Sequence, residues 1–208
     1  MNISKKAFLL GVAVFFVNYA HCSDDIDSFV NAAGTNKHRL LKEMLEKNPT
    51  LLNGRRAYNG ENALMAAIGS GSIEAFRFLM QHGVNLINND RDGNTALMYA
   101  ATAQPDSVAE MFTRSILSHA EVLPYINYQN HSGETALIKA AEEGRLDVVT
   151  LLVNAGADVT LPDDHSETPV QYARSHQDII DYLCKHGAND KDLCPKKSSW
   201  RDIFGKIY

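Results

Sequence analysis

The residues of this chain best suited to chemistry are its cysteines and histidines, three and eight of them in 208 residues. Catalysis and metal binding need such groups at set spacings. There is no Cys-x-x-Cys, no His-Glu-x-x-His, no Gly-rich loop ending in Lys and no Gly-x-Ser-x-Gly elbow. The sequence therefore predicts no catalytic residue, no enzyme activity and no cofactor. Cys184 and Cys194 have no histidines at matching spacing to complete a tetrahedral zinc site, so no metal is expected either. The chemistry left to this pair is oxidation. One reading bridges them, closing a short loop for a stabilisation of about 2–3 kcal/mol. The other leaves Cys184 as a buried apolar residue and Cys194 as a free thiol.

The histidines are scattered. His82 and His186 precede Gly83 and Gly187, where a helix would end, and the spacing assigns them to capping of terminal carbonyls. His131 and His165 fall at turn tips, open to solvent or a partner. Asn130-His131-Ser132 has the form of a glycosylation sequon, and its place at a turn tip predicts an accessible amide.

Where this chemistry takes place depends on the N-terminus. Lys5 and Lys6 precede an uncharged apolar run from Ala7 to Val17, followed by small residues at Ala20 and Cys22 and then by Asp24 and Asp25. That order predicts a cleaved signal peptide over 1–22 and export to a periplasmic or extracellular space, where a disulfide persists. The run is too short to span a membrane, so no membrane span is expected after cleavage. Cleavage deletes two lysines and no acids, which takes the formal charge from −5 to −7. An acidic chain argues against nucleic acid, whose phosphates require clustered Lys and Arg.

The elements that position these residues come from an internal repeat. Gly60-Glu61-Asn62-Ala63-Leu64 returns as Gly93-Asn94-Thr95-Ala96-Leu97 and Gly133-Glu134-Thr135-Ala136-Leu137, with a degenerate copy at Ser166-Glu167-Thr168-Pro169-Val170. The offsets are 33, 40 and 33 residues. Downstream, apolar pairs at helical spacing end at Gly83, Gly156 and Gly187, as helices ending at a left-handed glycine do. Ala66-Ala67 and Ala140-Ala141 permit close helix approach, and Leu64, Leu97, Leu137 and Val170 are placed to plug between repeats.

The Gly-x-Thr-Ala-Leu phrase, the Ala-Ala pair and the Gly156-Ala157-Asp158 terminus resemble the ankyrin family over about residues 28–189. The resemblance implies an all-α ankyrin-repeat solenoid of about five helix-turn-helix units with hairpin-like turns, over 24–56, 57–89, 90–129, 130–162 and 163–189, within a domain of 23–189. The chain departs from the family in carrying Met65, Met98, Ile138 and Gln171 where a histidine is usual, which predicts one weaker polar contact between repeats without threatening the fold. The resemblance also implies a protein partner. Its contacts fall at the hairpin tips Tyr58, Asn59 and Glu61; Arg91, Asp92 and Asn94; His131, Ser132 and Glu134; and Asp164, His165 and Glu167. Ser70, Thr102, Glu142 and Glu143 join them at the helix ends. This set leans acidic, so a partner with a basic patch is expected, met by a monomer.

The units differ in ways the sequence displays. The first carries extra polar residues, as an N-terminal cap does, and the last is two residues short. The third holds seven extra residues between Gln104 and Asn127, with Pro105 assigned to the first turn of a lengthened helix. Insertions of this kind either serve binding or pack on their own repeat. In the tail, 190–208, Trp200, Ile203, Phe204 and Ile207 share a helical face, and a short C-terminal helix there either covers the end of the stack or docks on a partner. Two functional readings follow: an exported module that binds a protein, for instance as antidote or accessory to an exported enzyme, or a structural, envelope-stress protein without one tight partner.

Overall fold

The computed structural model describes residues 24–194. The signal peptide expected over 1–22 and the amphipathic helix expected near 199–207 lie outside the described residues. The chain forms two compact units, one ending at Asn85 and one beginning at Leu86.

In the first unit α1 spans 24–34, α2 His38–Lys47, α3 Ala63–Gly69 and α4 Ile73–Gln81. A 3-10 turn, Pro49–Asn53, follows α2, where Asn48 accepts from the Thr50 amide at 3.2 Å and Pro49 lies at the start, its missing N–H costing nothing. Phe29, Val30, Leu41, Leu64, Phe76 and Leu79 form the core. In the second unit α5 is Ala96–Thr102, α6 Asp106–Leu117, α7 Ala136–Glu142, α8 Leu146–Asn154, α9 Pro169–Tyr172 and α10 Gln177–Lys185. Here α5 packs on α7 and α7 on α9, while α6 packs on α8 and α8 on α10, so first helices meet first helices and second meet second. Among the described residues no strand forms. Single antiparallel bridges, Arg55 with Asn62 and Asn89 with Thr95, close the bases of two hairpin-like turns.

The repeated phrase has a local cause at each residue. Thr95 and Thr135 accept the third amide of their helices, from Met98 at 3.4 Å and Ile138 at 3.2 Å, and Asn62 does the same for Met65 at 2.9 Å. The alanine pairs and Leu64, Leu97, Leu137 and Val170 are buried, as the spacing required. Gly133 has φ of +76° and no room for a Cβ, which would collide with the Asp164 nitrogen. A side chain there would break the bond from the Asp164 amide to the Ser132 carbonyl, 3.2 Å.

The position where the family carries histidine keeps an acceptor in two repeats. Gln171 Oε1 accepts from the Thr168 amide at 2.8 Å, and the sulfur of Met98 accepts from the Thr95 amide at 3.4 Å. Both bonds lie within a single repeat, so they cap its first helix and do not replace the contact between repeats that was expected to weaken.

The lengthened repeat places its extra residues in two pieces. α6 has 12 residues against 9 in α4, α8 and α10, and a 3-10 segment, Ala120–Tyr125, follows it. Pro105 is not in the first turn, as expected, but is the cap residue just before α6, with no side-chain hydrogen bond to give. The short last repeat has only four residues in α9. Beyond α10, Asp190 Oδ1 accepts from the amides of Asp192 and Leu193, both at 2.9 Å, and Cys194 lies at disulfide distance from Cys184, with a Cα separation of 5.4 Å.

Candidate protein-binding surface

In the first unit one guanidinium organises the hairpin. Arg56 donates to Glu61 and to Asn31 of α1, and its Nε lies 3.7 Å from Asp27. It also sits 5.7 Å from the ring centre of Tyr58, which is 62% exposed. The Asn59 side chain accepts from the Glu61 amide at 3.0 Å. Tyr58 is therefore presented to solvent by a tip whose other polar groups are turned inward. Ser70 is exposed, and its hydroxyl donates to the Ala66 carbonyl at 2.7 Å.

The second unit has one polar device used three times. Asp90 Oδ1 accepts from the amides of Asp92 and Asn94, at 2.9 and 2.7 Å, and Tyr99 donates its hydroxyl to Asp90 Oδ2 at 2.9 Å. Asp163 repeats this with the amides of His165 and Glu167, at 3.0 and 2.8 Å, and with Tyr172 at 2.7 Å. The middle copy is different. Asn130 Oδ1 accepts from the amides of Ser132 and Glu134, at 3.0 and 2.9 Å, while its Nδ2 donates to Asn94 Oδ1 and to Glu134, both at 2.8 Å. Lys139 stands where the other copies have tyrosine and donates to Glu134 at 2.6 Å. The negative charge has moved from the buried turn residue to the half-buried Glu134.

These contacts set the ionisation of the carboxyls. Burial by itself pushes Asp163 up, but the Tyr172 hydroxyl and the amides of Glu167 and His165 outweigh it and hold Asp163 below its ordinary value. Glu134 is treated the same way: burial raises it, and the hydrogen bonds from Lys139 and Asn130 together with the Lys139 charge bring it below the usual range. Tyr172 is pushed well above an ordinary phenol because it donates to Asp163.

Of the residues the sequence proposed for partner contact, Tyr58, Ser70, Arg91, Asp92, His131, Ser132, Glu142, Glu143, Asp164 and His165 are exposed. Asn59, Glu61, Asn94, Thr102, Glu134 and Glu167 are half-buried. Thr102 donates to the Met98 carbonyl at 3.4 Å, and Glu167 faces Arg174 at 3.5 Å. Successive tips of the second unit are tied by backbone, from the His131 amide to the Asp92 carbonyl at 2.9 Å and from the Asp164 amide to Ser132. Beside them Asn94, Met98, Tyr99, Thr102 and Lys139 line a groove of 220 Å³.

The sequon reading is corrected here. Asn130 is only 9% exposed, and both side-chain atoms are engaged inside the unit. An attached sugar has no place on the folded chain. The histidine caps are present: His82 and His186 Nδ1 lie 2.7 Å from the carbonyls of Phe78 and Tyr182, with their rings over those aromatic rings.

Sequence reasoning passed over Arg56, Tyr99, Lys139, Arg145 and Tyr172, which hold the surface in place. A signal for three of them exists. Asp90 and Tyr99, Asn130 and Lys139, and Asp163 and Tyr172 all lie nine residues apart. Arg145 carried no such mark: its side chain is 2% exposed and donates to the carbonyls of Ala103 and Thr102 at the end of α5.

Among the described residues no three His, Cys, Asp or Glu side chains are grouped to hold a metal ion, and no helix is long and apolar enough to cross a membrane. The model of the family described as "Ankyrin repeats (3 copies)" matches residues 29–122 and 110–193. A mouse protein, B-cell lymphoma 3 protein homolog, is 33% identical over 129 residues, which cover 62% of this chain and 27% of that protein. The IkB-like protein of African swine fever virus is 31% identical over 139 residues, covering 61% of this chain and 54% of its own. The chain thus spans about a quarter of the mouse relative and about half of the viral one. A solved ankyrin repeat domain from Acinetobacter baumannii AYE superposes with a TM-score of 0.66 at 30% identity, covering 79% of this chain and 85% of that one.

Proposed function

The chain belongs to the ankyrin-repeat family, and from that premise we propose that it is an exported module whose second unit binds a protein bearing a basic patch. Ankyrin repeats mediate protein–protein interaction, and nothing in the family's architecture requires catalysis. The observation that carries the reading is the row of exposed tips in the second unit. Asp92, Ser132 and Asp164 are set by hydrogen bonds between successive hairpins, so a partner meets a surface already ordered and loses little freedom in binding it. Glu142, Glu143 and Asp164 give this row its sign. Export rests on the N-terminal pattern, and the cysteine pair at disulfide distance is consistent with it. An antidote or accessory to an exported enzyme is the concrete form of this proposal.

The test compares the full chain with a Glu142→Gln, Glu143→Gln, Asp164→Asn variant as bait in the exported fraction. A partner retained at near-physiological salt, lost in the variant and weakened as salt rises, supports the proposal. Equal retention by both, or none by either, favours a structural protein without a single partner.

A further inference from the structure

At the corner between α1 and α2, Asn36, Lys37, His38, Arg39, Leu40 and Glu43 line a groove of 410 Å³. Leu40 is 40% exposed, one of the few large apolar side chains left in water among the described residues. Glu43 is the one acid in this lining, and among the described residues it forms no ion pair with the cations beside Leu40. Asn36 takes up Glu74 of α4 through its Nδ2, while its Oδ1 accepts from the Ala75 amide at 3.0 Å. Lys42 faces Glu46 at 3.9 Å, and among the described residues Lys37 and Arg39 enter no ion pair. His38 and Arg39 also occupy the first turn of α2, which has no acid and no side-chain cap. Positive charge is unfavourable at that end of a helix, so an external carboxylate would relieve it.

We propose that this groove docks a partner segment that carries carboxylates on either side of an apolar residue. The carboxylates meet Lys37 and Arg39, and the apolar side chain meets Leu40. Charge selects this occupant. Residues 195–208, with Lys196, Lys197, Arg201 and Lys206 against the single acid Asp202, have the wrong sign to fill the groove. The surface is distinct from the acidic row of the second unit and does not depend on it.

The probe is a fluorescent peptide of repeating Glu-Glu-Leu, measured by anisotropy with the full chain at moderate salt. An all-glutamate peptide and a repeating Lys-Lys-Leu peptide are the controls. Residues 86–194 hold 17 acids against 7 Lys and Arg and repel an acidic probe, whereas the basic residues 195–208 attract one, so the double variant and the position of the amide shifts, rather than binding alone, assign the site. The Glu-Glu-Leu peptide is expected to bind, and the Lys37→Glu, Arg39→Glu variant to lose at least about tenfold in affinity. Leu40→Ala is expected to remove the preference over all-glutamate. Amide shifts confined to residues 36–43 would support the site without any variant. Unchanged binding by the double variant, equal binding of the all-glutamate peptide, or shifts centred elsewhere would overturn it. Self-association of the full chain that disappears in the double variant would assign the groove to a second copy instead.

Discussion

Asn130 donates its side-chain N–H to Asn94 Oδ1 at 2.8 Å, an amide-to-amide bond between the bases of two successive hairpins. Only an amide serves there, because the same side chain must accept two backbone N–H groups on one atom and donate from the other. An aspartate, which stands in the copies on either side, could accept but not donate. The exchange extends nine residues further, where lysine replaces tyrosine because the partner has become Glu134.

Asn130→Asp should accordingly be destabilising, by about 2 kcal/mol, since it deletes two donors and sets a carboxylate against Glu134. Urea denaturation at neutral pH measures this. Adding Glu134→Gln should recover part of the loss by removing the repulsion. A single variant as stable as the parent would show that the amide is incidental.

Tyr172→Phe probes the pH dependence. Asp163 lies below its ordinary value of 3.8 in the folded chain, so its stabilising contribution is present above that value and is lost as pH falls through the folded pKa. Without the Tyr172 hydroxyl, one of the bonds that outweigh burial is gone and the folded pKa rises. The variant should be less stable by about 1–2 kcal/mol at pH 7, with its acid limb displaced upward. The gap should close at pH low enough to protonate Asp163 in both proteins. A gap that is constant across the whole range would mean that the phenol acts by packing alone.

Arg145→Ala should cost about 3 kcal/mol, because it strips the buried Ala103 carbonyl and the half-buried Thr102 carbonyl of their donor at the end of α5. Arg145→Lys should restore little, since a single ammonium cannot reproduce the planar fork that spans Ala103 and Thr102. Thermal melts compare the three proteins, and hydrogen exchange in α5 and α6 should show where the loss is felt. Full rescue by lysine would reduce the residue to a point charge.

The repeat was legible in the sequence because its causes are local. A glycine with positive φ, a Thr or Asn cap three residues before the amide it accepts, and alanines at a close helix contact each depend on neighbours a few residues away, so they recur as one phrase. His82 and His186 were legible for the same reason, each acting on a carbonyl four residues back. The exposed tips followed from the turn phrase, though it did not separate Asp92 and Asp164, in solvent, from Asn94 and Glu134, half-buried.

What tertiary structure alone decided is which polar residues point outward. Asn130 reads as an accessible sequon until Asn94 is brought beside it from 36 residues away. Nothing local marks Arg145, whose partners lie at the end of α5, more than 40 residues back. Arg56 is likewise unmarked, because Asp27 and Asn31 reach it from α1. A sequence displays what each residue can accept or donate, and it determined the helices, their caps and the family. Burial depends on partners distant in the chain, and only the packed repeats decide which of those capacities are used within the protein and which remain for another molecule.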